Sequence, residues 1–290
     1  MQANLSAPQR SLLVWADAER RDLPWRRTRD PWAVLVSEFM LQQTQVARVI
    51  PRFTDFLERF PTAAACAEAT LGDVLRLWAG LGYNRRAANL HGCAVAITDR
   101  HGGRVPDDLE ALLRLPGVGP YTARAVLAFA FEADVGVVDT NVARVIARRA
   151  GRRLRAREAQ DLADALVPGG LSWSWNQSMM DLGAQVCRPR DPKCGDCPLS
   201  SGCTWWTGGR AGDDPAVGSA GVTGPQSRFE GSDRQGRGRL VDALRHGPVD
   251  ERDLVTVMGW PGEPERASRV AQTLVSDGLA VCDGARFELP

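Results

Sequence analysis

Residues 187–203 read CRPRDPKCGDCPLSSGC, with cysteines at the spacing C-x6-C-x2-C-x5-C. Thiolates this close in sequence typically hold either a [4Fe–4S] cluster or a zinc ion. The loop between the first two cysteines carries three cations, Arg188, Arg190 and Lys193. A rigid loop that presents cations suits contact with phosphate groups. We therefore expect a metal centre here, with four ligands: Cys187, Cys194, Cys197 and Cys203.

A glycine-rich turn lies upstream of the cysteines, in Leu115-Pro-Gly-Val-Gly-Pro-Tyr-Thr122. Gly117 and Gly119 allow a tight turn between two helices. They also let the backbone approach a phosphate, whose charge the N-terminus of the next helix favours. The turn alone is also consistent with a simple helix–helix connection. Beside the cysteines, it predicts a hairpin that contacts phosphate.

Two acidic residues are candidates for a catalytic role. Asp139 precedes a helix predicted at 140–150, where aspartate is also favoured simply as an N-cap. Glu38 lies in an otherwise apolar helix, Val34-Leu-Val-Ser-Glu-Phe-Met-Leu41. A carboxyl group buried there would keep its proton near neutral pH and could donate it. The alternative is that Glu38 lies on an exposed polar face.

The amino-acid composition limits the classes of protein to which this chain can belong. Hydrophobic residues make up 44% of the 290 positions, and no 18-residue apolar run predicts a membrane span. The N-terminus lacks a basic and an apolar region, so export is not expected and we predict a cytoplasmic location. Residues 1–206 carry 26 Lys+Arg against 22 Asp+Glu, and residues 207–290 carry 10 against 13. The positive excess therefore lies in the cysteine-bearing part, and Lys193 is the only lysine.

Hydrophobic periodicity predicts a mostly α-helical chain. One helix is predicted from Pro31 through Glu38 to about Val46, and others at 71–77, 85–99, 140–150, 237–245 and 264–277. Residues 207–230, rich in Gly, Asp, Ala, Pro and Ser, are predicted to be a linker. Residues 231–290 are predicted to be a small winged-helix-like α/β module that ends in a hairpin around Asp283-Gly284.

In this order the motifs resemble the helix-hairpin-helix DNA glycosylases that carry an iron–sulfur cluster. The segment Ser37-Glu-Phe-Met-Leu-Gln-Gln-Thr-Gln-Val46 resembles the MutY branch, the adenine glycosylases. The resemblance covers residues 11 to about 206. It implies a two-lobed glycosylase domain in residues 1–206, with a barrel lobe at about 23–135. The iron–sulfur lobe would combine about 1–22 with 136–206, and its four cysteines would hold a [4Fe–4S] cluster.

The resemblance also implies a reaction. A monomeric enzyme would hydrolyse the N-glycosidic bond of adenine mispaired with guanine or 8-oxoguanine in double-stranded DNA. Glu38 would protonate the adenine from one side of an interlobe cleft. Asp139, supported by Asn141, would stabilise the oxocarbenium ion from the other side. Tyr121 occupies the position of the Schiff-base lysine of endonuclease III-like relatives, which predicts a glycosylase without lyase activity.

Several further residues would contact the DNA. Gln42, Gln43 and Thr44 follow the acid and would fill the gap left by the flipped base or hydrogen-bond its neighbours. Leu81 and Tyr83 would form a wedge, with Tyr83 beside the opposite base, although Leu81 could equally be a core residue. Family members often have a second tyrosine after this one, where this chain has Asn84. Two residues, Arg26 and Gln177, would read the adenine edge.

The C-terminal segment departs from many MutY proteins, which carry a larger Nudix-like domain there. The short module either contacts DNA through Arg234, Arg237 and Arg239 or docks on the catalytic lobe. Two other functions remain open from sequence. One is a related glycosylase for thymine or a damaged pyrimidine, and the other is a non-catalytic DNA-binding iron–sulfur protein.

Overall fold

The computed structural model describes residues 5–222 and 228–290, which are mostly helical. In chain order the helices are α1 (Ala7–Glu19), α2 (Pro31–Leu41), α3 (Val46–Arg59), α4 (Ala63–Ala67), α5 (Leu71–Leu77), α6 (Arg85–His101), α7 (Leu109–Leu113), α8 (Pro120–Phe129), α9 (Thr140–Ala150), α10 (Ala156–Leu166), α11 (Ser172–Gln185), α12 (Thr204–Thr207), α13 (Asp233–Leu244), α14 (Leu254–Met258) and α15 (Pro264–Ser276). The strands are β1 (Val249–Asp250), β2 (Val281–Asp283) and β3 (Arg286–Glu288). Short 3₁₀ helices lie at Pro24–Arg26, Cys194–Asp196, Ser200–Gly202 and Glu251–Asp253.

Most predicted helices are present, but α2 ends earlier than expected. The sequence predicted one helix from Pro31 to about Val46, whereas α2 ends at Leu41 and α3 begins at Val46. Gln43 has a φ of 55°, in the left-handed region, which interrupts the helix. Gln42, Gln43 and Thr44 therefore lie on a turn after α2 rather than on its surface.

The described residues form two compact units. The first contains residues 5–31, 107–109 and 119–222, and the second contains 32–106, 110–118 and 228–290. In the first unit α11 packs on α1, α8 and α9. In the second, α6 packs on α4 and α5, while α13, α14 and α15 pack on one another. This grouping differs from the expected lobe boundaries, because α8 packs on α11 and the C-terminal module groups with residues 32–106.

The predicted linker is partly a packed segment. Within it, Ala216 and Ser219 are buried. Leu154 N–H donates to Ser219 Oγ over 3.1 Å, and Ala220 N–H donates to Leu154 O over 3.0 Å. Residues 207–222 therefore belong to the first unit, because these bonds fix their backbone. Residues 223–227 of the predicted linker lie outside the described residues.

The C-terminal module has a winged-helix-like arrangement, as predicted. Helices α13, α14 and α15 accompany an antiparallel sheet of order β1-β3-β2. Phe287 of β3 is buried, and it pairs with Val249 on one side and Cys282 on the other. The sequence missed β1 because two residues carry no alternation pattern. No helix in the described part of the chain is both long and apolar enough to span a membrane.

Two glycines of α13 give a paired test of this packing. A Cβ on Gly236 would overlap the ring of Trp260, whereas a Cβ on Gly238 would meet nothing within 4 Å. Gly236→Ala should lower the free energy of unfolding by about 1–3 kcal/mol through overpacking. Gly238→Ala should raise it by up to about 1 kcal/mol, because alanine favours the helix. Urea denaturation followed by circular dichroism measures both changes, and equal effects would contradict the described contact.

Candidate active site and cysteine cavity

The Asp139 carboxylate is held in a fixed position at the start of α9. Its Oδ1 accepts the Val142 N–H over 2.7 Å, which makes Asp139 the N-cap of the helix. Its Oδ2 accepts the amide of Asn141 over 2.9 Å. Burial raises the pKa of Asp139, although hydrogen bonds from Val142 and Asn141 oppose that shift. The carboxylate is therefore positioned by donors while its environment is poorly solvated.

Arg144 extends this contact from Asp139 to the cysteine loop. Its side chain donates to Asn141 Oδ1 over 2.8 Å and to Gly183 O and Cys187 O, each over 2.6 Å. Arg144 is only 3% exposed, so these hydrogen bonds compensate for a buried cation. One guanidinium thus joins α9, α11 and the backbone of the first cysteine. No sequence pattern indicates this role for Arg144, because its partners are carbonyl oxygens and an amide.

Two residues of α11 fix the segment around Asp139. Asn176 accepts the Val137 N–H over 2.8 Å and donates to Val135 O over 2.9 Å. At Gly183 a Cβ would lie 2.6 Å from the Cβ of Asn141, so α11 approaches α9 closely at this glycine. Any larger side chain at position 183 would displace Asn141, the amide that supports Asp139.

Glu38 lies in α2, where it is 4% exposed among apolar neighbours. The expected burial of this carboxyl group is therefore present, and the alternative of an exposed polar face is wrong. In the same unit, Gln42 and Thr44 are half-buried and Gln43 is exposed. The turn after α2 carries all three.

Arg86 connects the end of α2 to the 80–84 loop. It is 8% exposed and donates to the carbonyl oxygens of Phe39 and Met40 over 2.7 and 2.9 Å. It also donates to Thr44 Oγ1 over 2.8 Å and to the carbonyl oxygens of Leu81 and Gly82 over 3.1 Å. Burial lowers the pKa of Arg86 to about 10, so the side chain remains a cation at neutral pH. The sequence analysis did not identify this residue.

The 80–84 loop presents one aromatic ring. Tyr83 is 39% exposed and has a φ of 48°, a strained conformation for a non-glycine residue. Leu81 is 4% exposed and is a core residue, the second of the two alternatives. Non-glycine residues with positive φ occur at Gln43, Tyr83, Glu132, Asp191 and Arg210, and the first two are ones that the sequence predicted to contact DNA. Strain of this kind clusters at functional sites.

Arg26 has structural partners that the sequence did not indicate. Its two terminal nitrogens donate to the Asp181 carboxylate over 2.7 and 3.0 Å. Arg21 Nε donates to the same carboxylate over 2.6 Å. Asp181 is fully buried, and this pairing lowers its pKa even though burial opposes the shift. Arg26 therefore fastens residues 21–26 to α11, where Gln177 is also buried, and the reading of the adenine edge by these two residues stays a prediction.

The glycine-rich turn lies between α7 and α8. Gly117 has a φ of 73°, and a Cβ there would lie 2.6 Å from the Asn89 Cβ, so only glycine fits. Gly119 is the N-cap of α8, and a Cβ there would meet nothing within 4 Å. Tyr121 is half-buried in the first turn of α8. The predicted hairpin is therefore present.

The four predicted cysteine ligands line one cavity of the first unit, which also includes Arg148, Arg149 and Trp205. They form no disulfide. Arg148 donates to Cys187 Sγ over 3.3 Å and pairs with Asp214 over 2.6 Å. Burial raises the pKa of the Cys197 thiol to about 11. Since such a thiol is neutral in isolation, thiolates in this cavity require a positive group such as a metal centre.

The loop cations lie on the outside of this cavity. Arg190 and Lys193 are exposed, and Arg188 is half-buried and donates to Asp191 O over 2.9 Å. The predicted site residues thus divide between the two units. The first holds Asp139, Asn141, Tyr121, Gly119, Arg26, Gln177 and the cysteine loop, and the second holds Glu38, Gln42, Gln43, Thr44, Leu81, Tyr83 and Gly117.

Comparisons with known proteins show the family of this chain. Residues 36–168 match the HhH-GPD superfamily of base excision DNA repair proteins. The adenine DNA glycosylase of Mycolicibacterium smegmatis is 46% identical over 287 residues, covering 96% of this chain and 94% of that protein. Human adenine DNA glycosylase is 44% identical over 216 residues, covering 69% of this chain and 40% of that protein.

A solved structure of a thermostable thymine-DNA glycosylase superposes with a TM-score of 0.66 at 34% identity, covering 69% of this chain and 94% of that one. It confirms the helix-hairpin-helix glycosylase fold. Because identity with the mycobacterial protein extends along nearly the whole chain, this chain belongs to the MutY-type adenine DNA glycosylases of the HhH-GPD superfamily.

Proposed function

We propose that this chain releases adenine mispaired with guanine or 8-oxoguanine in double-stranded DNA, by hydrolysing the N-glycosidic bond. The observation that carries the proposal is the Asp139 carboxylate, fixed by Val142 and Asn141. Cleavage builds positive charge at C1′ of the sugar, and a fixed anion stabilises that oxocarbenium character. The names of the related adenine DNA glycosylases support adenine as the base.

The leaving adenine needs a proton, and Glu38 is the proposed donor. The adenine must first leave the base stack, at a cost of about a few kcal/mol. Glu38 is buried in α2, and an apolar environment favours the neutral acid that can protonate adenine N7. Gln42, Gln43 and Thr44 follow on the next turn and would contact the strand around the vacated position.

The product would be an abasic site in an uncut strand. Strand cleavage by a lyase requires an amine that forms a Schiff base. The phenol of Tyr121 cannot form one, and the only lysine, Lys193, lies in the cysteine loop. This chemistry supports a monofunctional glycosylase, and the N-terminal amine is the alternative group that could form a Schiff base.

A [4Fe–4S] cluster is the proposed occupant of the cysteine cavity. Four thiols line the cavity, yet among the described residues no three Cys, His, Asp or Glu side chains are grouped to hold one metal ion. A [4Fe–4S] cluster is held by four cysteine thiolates, the number that this cavity supplies. When bound it would cross-link the loop, and Arg188, Arg190 and Lys193 would then contact DNA phosphates.

Asp139→Asn tests the proposed electrostatic role. Asparagine is a good N-cap, so the free energy of unfolding should stay within about 1 kcal/mol of wild type. Loss of the anion should lower single-turnover excision by about 10²–10³-fold. Thr62→Ala is the matched control, because it removes the N-cap of α4 and should cost about 1 kcal/mol while leaving excision intact. Equal activity of Asp139→Asn and wild type would reject the role.

The pH profile of the same reaction gives an independent prediction. Burial raises the pKa of Asp139 above its ordinary value, and the reaction uses the ionised form. The wild-type rate should therefore fall as the pH is lowered through that raised pKa, at a higher pH than an ordinary aspartate of about 3.9 would give. The residual rate of Asp139→Asn should not fall over this acidic pH range. If it fell as the wild-type rate does, the titration would belong to another group.

Glu38→Gln tests the proton donor with little change in volume. Its excision rate should fall by about 10²–10⁴-fold, the usual contribution of general acid catalysis. Binding to a duplex that contains a non-cleavable adenine analogue should persist, which an equilibrium titration measures. Full excision by Glu38→Gln would overturn the assignment.

The function itself is tested by single-turnover incubation with duplexes that carry adenine opposite 8-oxoguanine, guanine or thymine. A fourth duplex carries thymine opposite guanine, because the superposed structure is a thymine-DNA glycosylase. We expect cleavage only after alkali treatment, and only for adenine opposite guanine or 8-oxoguanine. Release of thymine alone, or binding without base release, would replace the proposal with one of the alternative functions.

A further inference from the structure

The C-terminal module contacts the 80–84 loop through one buried arginine. Arg245, at the C-terminal end of α13, has a side chain that is 6% exposed. Its Nε donates to Leu75 O over 2.8 Å, and an NH2 group donates to Asn84 Oδ1 over 2.9 Å. Its other terminal nitrogen contacts Asp242 of its own helix. One guanidinium therefore joins α13 to the end of α5 and to the residue that follows Tyr83.

Two further contacts fix the module to the same helices. The Gly72 N–H donates to Pro290 O over 2.8 Å, and a Cβ on Gly72 would lie 2.6 Å from that oxygen. Arg85, at the start of α6, pairs with Asp277 over 3.1 Å. The module is thus docked on α5, which precedes the 80–84 loop, and on α6, which follows it.

The 80–84 loop needs such support because its backbone is strained. Gly80, Gly82 and Tyr83 have φ values of 82°, 69° and 48°. A tyrosine in the left-handed region persists only where its surroundings determine the conformation. Arg86 holds the carbonyl oxygens of Leu81 and Gly82, and Arg245 holds the side chain of Asn84. Tyr83 lies between these two anchors with its ring exposed.

We propose that the C-terminal module is a positioning element for the 80–84 loop and that Arg245 is the residue through which it acts. The inference rests on the proposed function, because it takes Tyr83 as the residue that engages DNA beside the mispair. The module then supports recognition from behind the loop, without touching DNA. Asn84, which stands where relatives often have a second tyrosine, is the acceptor that makes this contact possible.

The first measurement concerns the full-length protein without DNA. Hydrogen exchange of the 80–84 amides should be at least about tenfold faster in Arg245→Ala, because a loop opens more often when an anchor is lost. Asn84→Ala removes the same contact from the loop side and should give the same increase in exchange. It serves as the test variant if Arg245→Ala fails to fold. Arg239→Ala is the control, since Arg239 donates to Met258 O inside the module. Unchanged exchange at 80–84 in both test variants would overturn the proposal.

The second measurement is single-turnover excision from an adenine–guanine duplex. Arg245→Ala should be about tenfold slower than wild type, the factor that corresponds to 1.4 kcal/mol. Arg245→Lys should recover part of that loss. In a Tyr83→Ala background, Arg245→Ala should change the rate less than about twofold, because contacting residues are non-additive. An equal loss in both backgrounds would mean general destabilisation and would reject the positioning role.

The two measurements separate this inference from the proposed function. If wild-type protein released no adenine from any duplex, the proposed function would fail, and the exchange of the 80–84 amides would still decide whether Arg245 positions the loop. If adenine were released and neither exchange nor rate depended on Arg245, only the positioning inference would fail.

Discussion

The buried guanidinium of Arg144 is the contact on which the candidate site depends. It donates to Asn141, Gly183 and Cys187, so the amide that supports Asp139 and the backbone of the cysteine loop share one cation. Removing that cation would leave three acceptors without their donor, at about 1–3 kcal/mol for the buried Gly183 oxygen. The position of the carboxylate and the position of the cysteine loop are therefore not independent of each other.

In the second unit Arg86 has the same structural role, that of a buried guanidinium that donates to several backbone oxygens. A lysine could not replace either residue, because only the planar guanidinium presents several donors in a fixed fork. Arg86 reaches carbonyl oxygens of α2 and of the 80–84 loop at once, and even with its pKa lowered to about 10 it stays protonated at neutral pH. A chain with one lysine thus relies on buried arginines to connect loops whose own backbones form few mutual hydrogen bonds.

Local patterns predicted much of this fold, and long-range contacts account for most of what they missed. Helix α9 has the predicted bounds because its N-cap Asp139 and its terminal Gly151 are local signals. The pairing of Arg26 with Asp181 joins residues 155 positions apart, so no local pattern could indicate this structural contact of the arginine. The early end of α2 depends on the left-handed Gln43, which no local propensity indicates.

The acidic excess of the C-terminal segment has a structural explanation. Asp277 pairs with Arg237 inside the module and with Arg85 on α6, while Asp233 pairs with Arg266 and Arg269. Arg237 and Arg239 are engaged inside the module, so of the two alternatives open from sequence the structure favours docking over direct DNA contact. Several acidic side chains of the module thus form ion pairs inside it, and Asp277 also pairs with Arg85 of α6. A module with net negative charge can therefore dock on these helices, because part of that charge is paired with arginines of the protein itself.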